Sequence, residues 1–283
     1  MCKKRLNLIK LLIVDMSKNE IYNVKTEVGN FRVEKSNKHL KVGESKFCIE
    51  IKFSEICPEE SELQWLITKD GGCELDDKPI EGSTTVHLLY LAFTLLKIYT
   101  NTERVILLDN SKFDCKFTDG TKTTIFMNKY NYLFHGGTWY DIKTNAYPID
   151  NTQKKLYNET KSLYTDSSIK QKFDFKNPLL EKELSPIYEK ANTWKEFADT
   201  LYKKYDKIEL CRKIAPWYSS AVAILTKNRM LPEYWIIDIS KMTPIPFTRL
   251  TITGGNKTRK QIYISSNQDY TFLSPSELYT KIL

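Results

Sequence analysis

The hydrophobic period of this chain changes twice within its first 110 residues, and that change limits the folds open to it. Up to Thr68 the apolar residues come in short runs of β-favouring side chains. Val24–Val28 and Phe31–Glu34 flank Gly29-Asn30, and Leu40–Val42 and Lys46–Phe53 flank Gly43-Glu44-Ser45, so both pairs read as hairpins. Phe47, Ile49, Ile51 and Phe53 alternate onto one face, as in a half-buried strand. Leu63–Thr68 reads as a further strand ending at Asp70-Gly71-Gly72. From Thr84 the period becomes helical. Val86, Leu88, Leu89, Leu91, Ala92, Phe93, Leu95, Leu96, Ile98 and Tyr99 cover most of a helix surface, leaving a narrow stripe of His87, Thr94 and Lys97. A helix apolar nearly all round is buried in its fold. Val105–Leu108 then reads as a buried strand. Strand, helix and strand in this order predict an α+β chain with a mixed sheet and a buried helix in the first half.

The rest of the chain reads as a second, smaller helix-plus-hairpin domain. Residues 151–178 are polar, contain Asp166-Ser167-Ser168 and close at Asn177-Pro178, so they read as a linker between domains at 1–150 and 179–283, with a short helix over Thr152–Tyr164. Thr193-Trp194-Lys195-Glu196 fits a capping box, and Trp194, Phe197, Ala198, Leu201, Tyr202 and Tyr205 follow at helical spacing. Pro216 suits the first turn of another helix through Leu225. Tyr234–Ile239 is apolar and β-favouring. Leu250–Thr253 and Gln261–Ile264 flank Gly254-Gly255-Asn256 as a hairpin, and Ser274-Pro275-Ser276-Glu277 is a second capping box.

Charge follows the same division. Residues 1–150 carry 21 Lys+Arg against 21 Asp+Glu, whereas 151–283 carry 22 against 14, which supplies the whole net charge of +8. The six cysteines, Cys2, Cys48, Cys57, Cys73, Cys115 and Cys211, show no C-x-x-C spacing, which disfavours zinc ribbons and redox motifs. The apolar stretch Leu6–Val14 is interrupted by Lys10, stopped by Asp15 and lacks a small-residue cleavage site, so it does not read as a signal peptide. These features predict a soluble protein with free thiols in a reducing compartment, not secreted and not engaging a membrane.

No catalytic set is complete. There is no phosphate-binding G-x-x-x-x-G-K-[ST], no G-x-G-x-x-G and no G-x-S-x-G. Asp70-Gly71-Gly72-Cys73 resembles the D-G-x-C of ovarian-tumour-type deubiquitinases, but no histidine follows His135 to serve as the base. Cys73, His87, Cys115 and His135 are residue types that zinc favours, yet nothing in their spacing makes them meet, and no metal site is assigned.

Two wider resemblances exist. Gly82–Tyr99, then Val105–Leu108, then Tyr140 follow the order of the acyl-CoA-binding half of the GNAT acetyltransferases. That resemblance implies that Gly82, Ser83 and Thr84 face a pyrophosphate and that Tyr140 protonates the leaving thiolate. Ser83-Thr84 stands where the family's second glycine belongs. Over about residues 65–150 the chain resembles uncharacterised proteins of the giant (nucleocytoplasmic large) DNA viruses, through Leu108-Asp109-Asn110-Ser111-Lys112-Phe113 with Cys115, and Gly137-Thr138-Trp139-Tyr140 with Asn145-Ala146. Asp141 replaces the expected Glu. This resemblance implies a viral origin and carries over no catalytic residue.

The basic half interleaves cations with aromatics: Lys203, Lys204, Tyr205, Lys207, Arg212, Lys213 and Trp217, then Lys257, Arg259 and Lys260 at the hairpin tip. Cations bind phosphates while aromatics stack on bases. The sequence therefore predicts a non-catalytic viral binding or virion-associated protein without a cofactor, its basic half contacting nucleic acid or an acidic partner. The alternative is a divergent GNAT-like acyltransferase.

Overall fold

The computed structural model describes residues 19–26, 29–44, 46–66, 73–75, 78–79, 83–169, 173–242, 250–254, 260–264 and 270–271. The fold is α+β, as the change of period predicts. The chain forms two compact units, one of residues 1–107 with 238–283 and one of residues 108–237.

The first unit opens with an antiparallel meander: β1 (Glu20–Lys25), β2 (Asn30–Lys35), β3 (His39–Gly43), β4 (Phe47–Phe53) and β5 (Glu60–Leu66). Val24, Phe31, Val33, Leu40, Val42, Ile49 and Ile51 are buried. On β2, β3 and β4 the intervening Glu34, Lys41 and Glu50 stay partly exposed and pair up, Lys41 with Glu50 and His39 with Glu34. The alternation expected for Phe47–Phe53 is locally broken. Register shifts between Glu50 and Ile51, and Cys48 is buried beside Ile49. A short ladder of β6 (Glu74–Leu75) with β7 (Lys78–Pro79) precedes α1 (Ser83–Tyr99), and β8 (Arg104–Leu108) runs parallel to β5.

Helix α1 is the crossover a parallel pair requires, and it packs on β3 and β4. Leu88, Leu89, Leu91, Ala92, Phe93, Leu95 and Leu96 are all buried. Thr94, read as part of the polar stripe, is buried with them, so the stripe narrows to partly exposed His87 and Lys97. Hydroxyls fasten the exit from the helix: Thr100 Oγ1 donates to Leu96 O at 2.7 Å, and Thr102 Oγ1 meets Ser61 Oγ of β5 at 2.8 Å.

The second unit begins with a hairpin, β9 (Lys112–Lys116) with β10 (Lys122–Phe126), and runs into α2 (Met127–His135) and α3 (Trp139–Thr144). The stretch from His135 to Tyr140 is the junction of these two helices. Gly136 ends α2 at φ +71°, and Thr138 caps α3 by accepting from Asp141 N. There follow β11 (Tyr147–Pro148), α4 (Asn151–Leu163), α5 (Pro178–Lys190), α6 (Trp194–Lys204), α7 (Lys207–Ile214), α8 (Tyr218–Leu225) and β12 (Tyr234–Asp238), which pairs with β11.

The linker reading of 151–178 is corrected. The short helix is real, but Tyr157, Thr160, Tyr164, Phe173 and Phe175 are buried, so the segment belongs to the core of the second unit. Its polarity is that of an amphipathic helix's outer face. That core is strongly aromatic: Phe173, Phe175, Tyr188, Trp194, Phe197 and Trp217 pack mostly edge-to-face with centroids 5.1–6.3 Å apart. The capping box at Thr193 forms with one change. Thr193 Oγ1 accepts from Glu196 N, but Glu196 Oε2 reaches Asn192 N at 2.6 Å. Pro216 lies in the turn before α8, two residues ahead of its first helical residue.

The chain then returns to the first unit. β13 (Leu250–Gly254) pairs with β1, β14 (Lys260–Ile264) pairs with β13, and β15 (Tyr270–Thr271) pairs with β14. The predicted hairpin is therefore present in backbone, while Lys257, Arg259 and the capping box at Ser274 lie outside the described residues. The two halves proposed from charge do not correspond to the units. Residues 108–237 carry 21 Lys+Arg against 16 Asp+Glu, so both units hold a modest excess of cations.

The free-thiol expectation is also corrected. Cys48 is bonded to Cys73 and Cys115 to Cys211, with Cα–Cα distances of 5.6 and 5.8 Å. Cys57 is disulfide-bonded too, and no described cysteine is free. Partners 25 and 96 residues apart leave no local spacing signal. Among the described residues no helix is long and apolar enough to cross a membrane.

Candidate functional site

The residues that carry the two family resemblances, from Val105 to Tyr140, fold into structural contacts. Asp109 follows β8 and is 3% exposed. Its Oδ1 accepts from Ser111 Oγ at 2.8 Å, its backbone N–H donates to Glu233 O, and its Oδ2 has no partner. Burial raises its pKa, and the hydrogen bonds from Ser111 only partly oppose that. Tyr140, the acid of the acyltransferase reading, is buried near it. Burial and then the Asp109 charge drive its phenol well above the ordinary tyrosine range. Beside these, Thr138 N–H donates to Tyr157 Oη, and Tyr157 Oη–H and Lys161 Nζ both donate to Asp141 Oδ2, at 2.9, 2.8 and 2.7 Å. That network ties α3 to α4 and engages Asp141 Oδ2 twice.

The other nominated residues separate similarly. Gly82 lies outside the described residues, and Ser83 and Thr84 are the first two residues of α1. Cys73 and Cys115 are in disulfides, so neither is a nucleophile or a thiolate ligand. Among the described residues no three His, Cys, Asp or Glu side chains gather into a metal site. His135 closes α2 with its ring 6.0 Å from that of Tyr202, and burial, followed by the Lys143 charge, lowers its pKa.

Of the eight cations nominated for nucleic acid, three remain available. Arg212 donates through Nε to Lys116 O at 2.8 Å. Lys213 pairs with Glu183 at 2.6 Å and Glu209 at 3.6 Å, and its hydrogen bond holds the Glu183 carboxyl below the ordinary range. Lys257 and Arg259 are not described, and Lys260 is described in backbone only. The aromatics meant to stack on bases are also withdrawn, since Tyr205 is 8% and Trp217 1% exposed. Lys203, Lys204 and Lys207 are exposed at the junction of α6 and α7 and make no ion pair among the described residues.

One of those three, Lys203, lines a cleft that the sequence did not reveal. Pro186, Ile187, Lys190 and Ala191 from the end of α5, with Glu196, Asp199, Thr200 and Lys203 from α6, enclose about 620 Å³, a size typical of ligand sites. Pro186, Ile187 and Ala191 form its apolar part. Its acids are already engaged: Asp199 holds Lys195 at 2.5 Å, and Glu196 Oε2 holds Asn192 N. Lys190 and Lys203 make no ion pair among the described residues; the backbone amide leaves the Glu196 charge in place, so the two lysines outweigh it by one positive charge. The only sequence signal was the lysine cluster at 203–207, because nothing local shows that Lys190 and Ile187 come to face α6.

Comparison with models of known protein families, with curated proteins and with solved structures finds no match for this chain.

Proposed function

We propose that this chain is a non-catalytic binding protein whose second unit docks an acidic protein segment along α5, α6 and α7. The observation that carries this reading is the cleft between α5 and α6, where the acids are internally engaged and Lys190 and Lys203 are left over an apolar floor. An apolar side chain of the partner fills the space against Ile187 and Pro186. Its flanking carboxylates meet Lys190, Lys203, Lys204 and Lys207. Exposed charges of this kind steer association and fix register more than they add affinity. The resemblance of residues 65–150 to giant-virus proteins supports a viral, virion-associated or host-directed role.

Nucleic acid is the second reading, favoured by three exposed lysines at one helix junction that make no ion pair among the described residues, and weakened by the burial of Tyr205 and Trp217. The acyltransferase reading draws no support from Tyr140, whose buried phenol holds its proton too tightly for ready transfer.

The test is fluorescence anisotropy of the full chain across a salt series. The probes are a labelled Glu-rich peptide carrying one central Leu, and labelled single- and double-stranded DNA. The peptide is expected to bind, and Lys190→Glu with Lys203→Glu to weaken it roughly tenfold, equivalent to about 1.4 kcal/mol. Tighter binding of DNA with a steep salt slope transfers the function to nucleic acid. Failure to bind any probe at low salt removes the docking reading altogether.

A further inference from the structure

Independently of what the cleft binds, the cysteines assign this chain a step that precedes its function. In the first unit Cys48 of β4 is joined to Cys73, just before β6. In the second, Cys115 of β9 is joined to Cys211 of α7. Both Cα–Cα distances lie in the middle of the range that accepts a disulfide without moving backbone. The second bond is set in matched surroundings: the next residue on each side also pairs, Arg212 Nε donating to Lys116 O at 2.8 Å. Cys57 is bonded as well. Cysteines scattered without local spacing, all paired wherever they are described, indicate a chain built to be oxidised.

Burial sets the order of events. Cys48, Cys73 and Cys115 are at most 1% exposed and Cys211 is 8% exposed. Thiol–disulfide exchange requires a thiolate that its partner can reach. Once the units are packed, neither an oxidant nor a reductant of protein size reaches these sulfurs.

We infer that this chain is a client of protein dithiol oxidation, oxidised during folding by a disulfide-bearing thiol oxidoreductase before both units close. For each bond, one cysteine thiolate attacks a sulfur of the oxidant's disulfide and forms a mixed disulfide, expelling the oxidant's other sulfur as a thiolate. The second cysteine thiolate then attacks the client sulfur and releases the reduced oxidant. Two electrons and two protons pass to the oxidant per bond, so four client thiols and two oxidant disulfides become two client disulfides and two oxidant dithiols. The chain therefore matures where such an oxidant operates. The expectation of a reducing environment gives way to this reading.

The experiment produces the full chain in parallel in a reducing cytosol with and without a co-expressed disulfide-donating oxidoreductase. Free thiols are blocked with maleimide in denaturant, and linked peptides are mapped by mass spectrometry. With the oxidant, Cys48–Cys73 and Cys115–Cys211 peptides are expected and their thiols are not labelled. Without it, the chain is expected to label at all four, to melt at lower temperature and to be digested faster by protease. A Cys115→Val/Cys211→Val variant, which keeps an apolar pair in place, is expected to lose the stabilising effect of the oxidant in the second unit. Full labelling of Cys115 and Cys211 in the co-expressed protein overturns the inference. So does a reduced chain that melts and digests as the oxidised one does.

Discussion

Gly136→Ala is expected to destabilise the second unit by two effects that the structure lets one separate. Gly136 ends α2 at φ +71°, donating its N–H to Tyr132 O at 2.9 Å. A side chain in that left-handed conformation costs roughly 1–2 kcal/mol. In addition, an added Cβ meets Tyr164 Cδ1 at 2.6 Å and Cγ at 3.1 Å. The Tyr164 ring is buried and packs near Tyr132, so it has little room to withdraw. Overpacking of a filled core costs about 1–3 kcal/mol. Gly120 supplies the control. It turns the β9–β10 hairpin at φ +84° with nothing within 4 Å of an added Cβ, so Gly120→Ala carries the backbone cost alone. The expected result is a loss of about 2–5 kcal/mol for Gly136→Ala, made of the backbone and overpacking costs, against roughly 1–2 kcal/mol for Gly120→Ala. At roughly 2–4 °C per kcal/mol the Gly136 variant melts on the order of 10 °C lower. The assay is urea and thermal denaturation of the full chain followed by near-ultraviolet circular dichroism, which the aromatic core of this unit dominates. Equal losses in the two variants refute the seating of Tyr164 over the α2–α3 junction.

Two pH predictions follow from burial. Asp109 has its folded pKa raised above its unfolded value. The stability it contributes is therefore fully present below about pH 4, the ordinary aspartate value, and is lost as pH rises through the folded pKa. Asp109→Asn is expected to gain on the native chain steadily from pH 4 toward neutrality in chemical denaturation, and a constant difference across that range would falsify the buried-acid account. Burial likewise pushes Tyr99, Tyr130, Tyr132 and Tyr188 up to about 12. Stability held by their neutral phenols is present below about pH 10 and disappears between pH 10 and 12. Tyr132→Phe is expected to flatten that alkaline loss, and ordinary titration of all the tyrosines in the folded chain, followed by tyrosinate absorbance, counts against it.

Legibility in the sequence followed the strength of local period. Helix α1 was visible because its apolar residues exhaust a helical surface, and β3 with β4 because turn residues separate alternating runs. The β9–β10 hairpin was not, since Lys112-Phe113-Asp114-Cys115-Lys116 is polar on one face and reads as the loss of a strand. Residues 151–178 misled for a related reason: an amphipathic helix with few buried positions looks like a linker when its aromatic partners, Trp235 for Tyr157 and Tyr132 for the Tyr164 that follows it, lie far away in sequence. Of the candidate site, the lysines at 203–207 were legible as charge. That Arg212 and Lys213 are already engaged, and that α5 brings Ile187 and Lys190 to face α6, depends on contacts no local pattern encodes. The disulfide partners were hidden in the same way.

Strand β1 pairs on one side with β2, immediately after it, and on the other with β13, register Tyr22 to Gly254. On a ribosome adding 5–20 residues per second, β13 emerges roughly 10–50 s after β1. Throughout that interval one side of β1 offers unpaired backbone amides and carbonyls, the template on which edge-to-edge association starts. The second unit, continuous in sequence, is complete before the first can be. The nascent chain thus carries a finished domain beside an unfinished sheet, and its yield in any expression host depends on how well that edge is guarded until the last strands arrive.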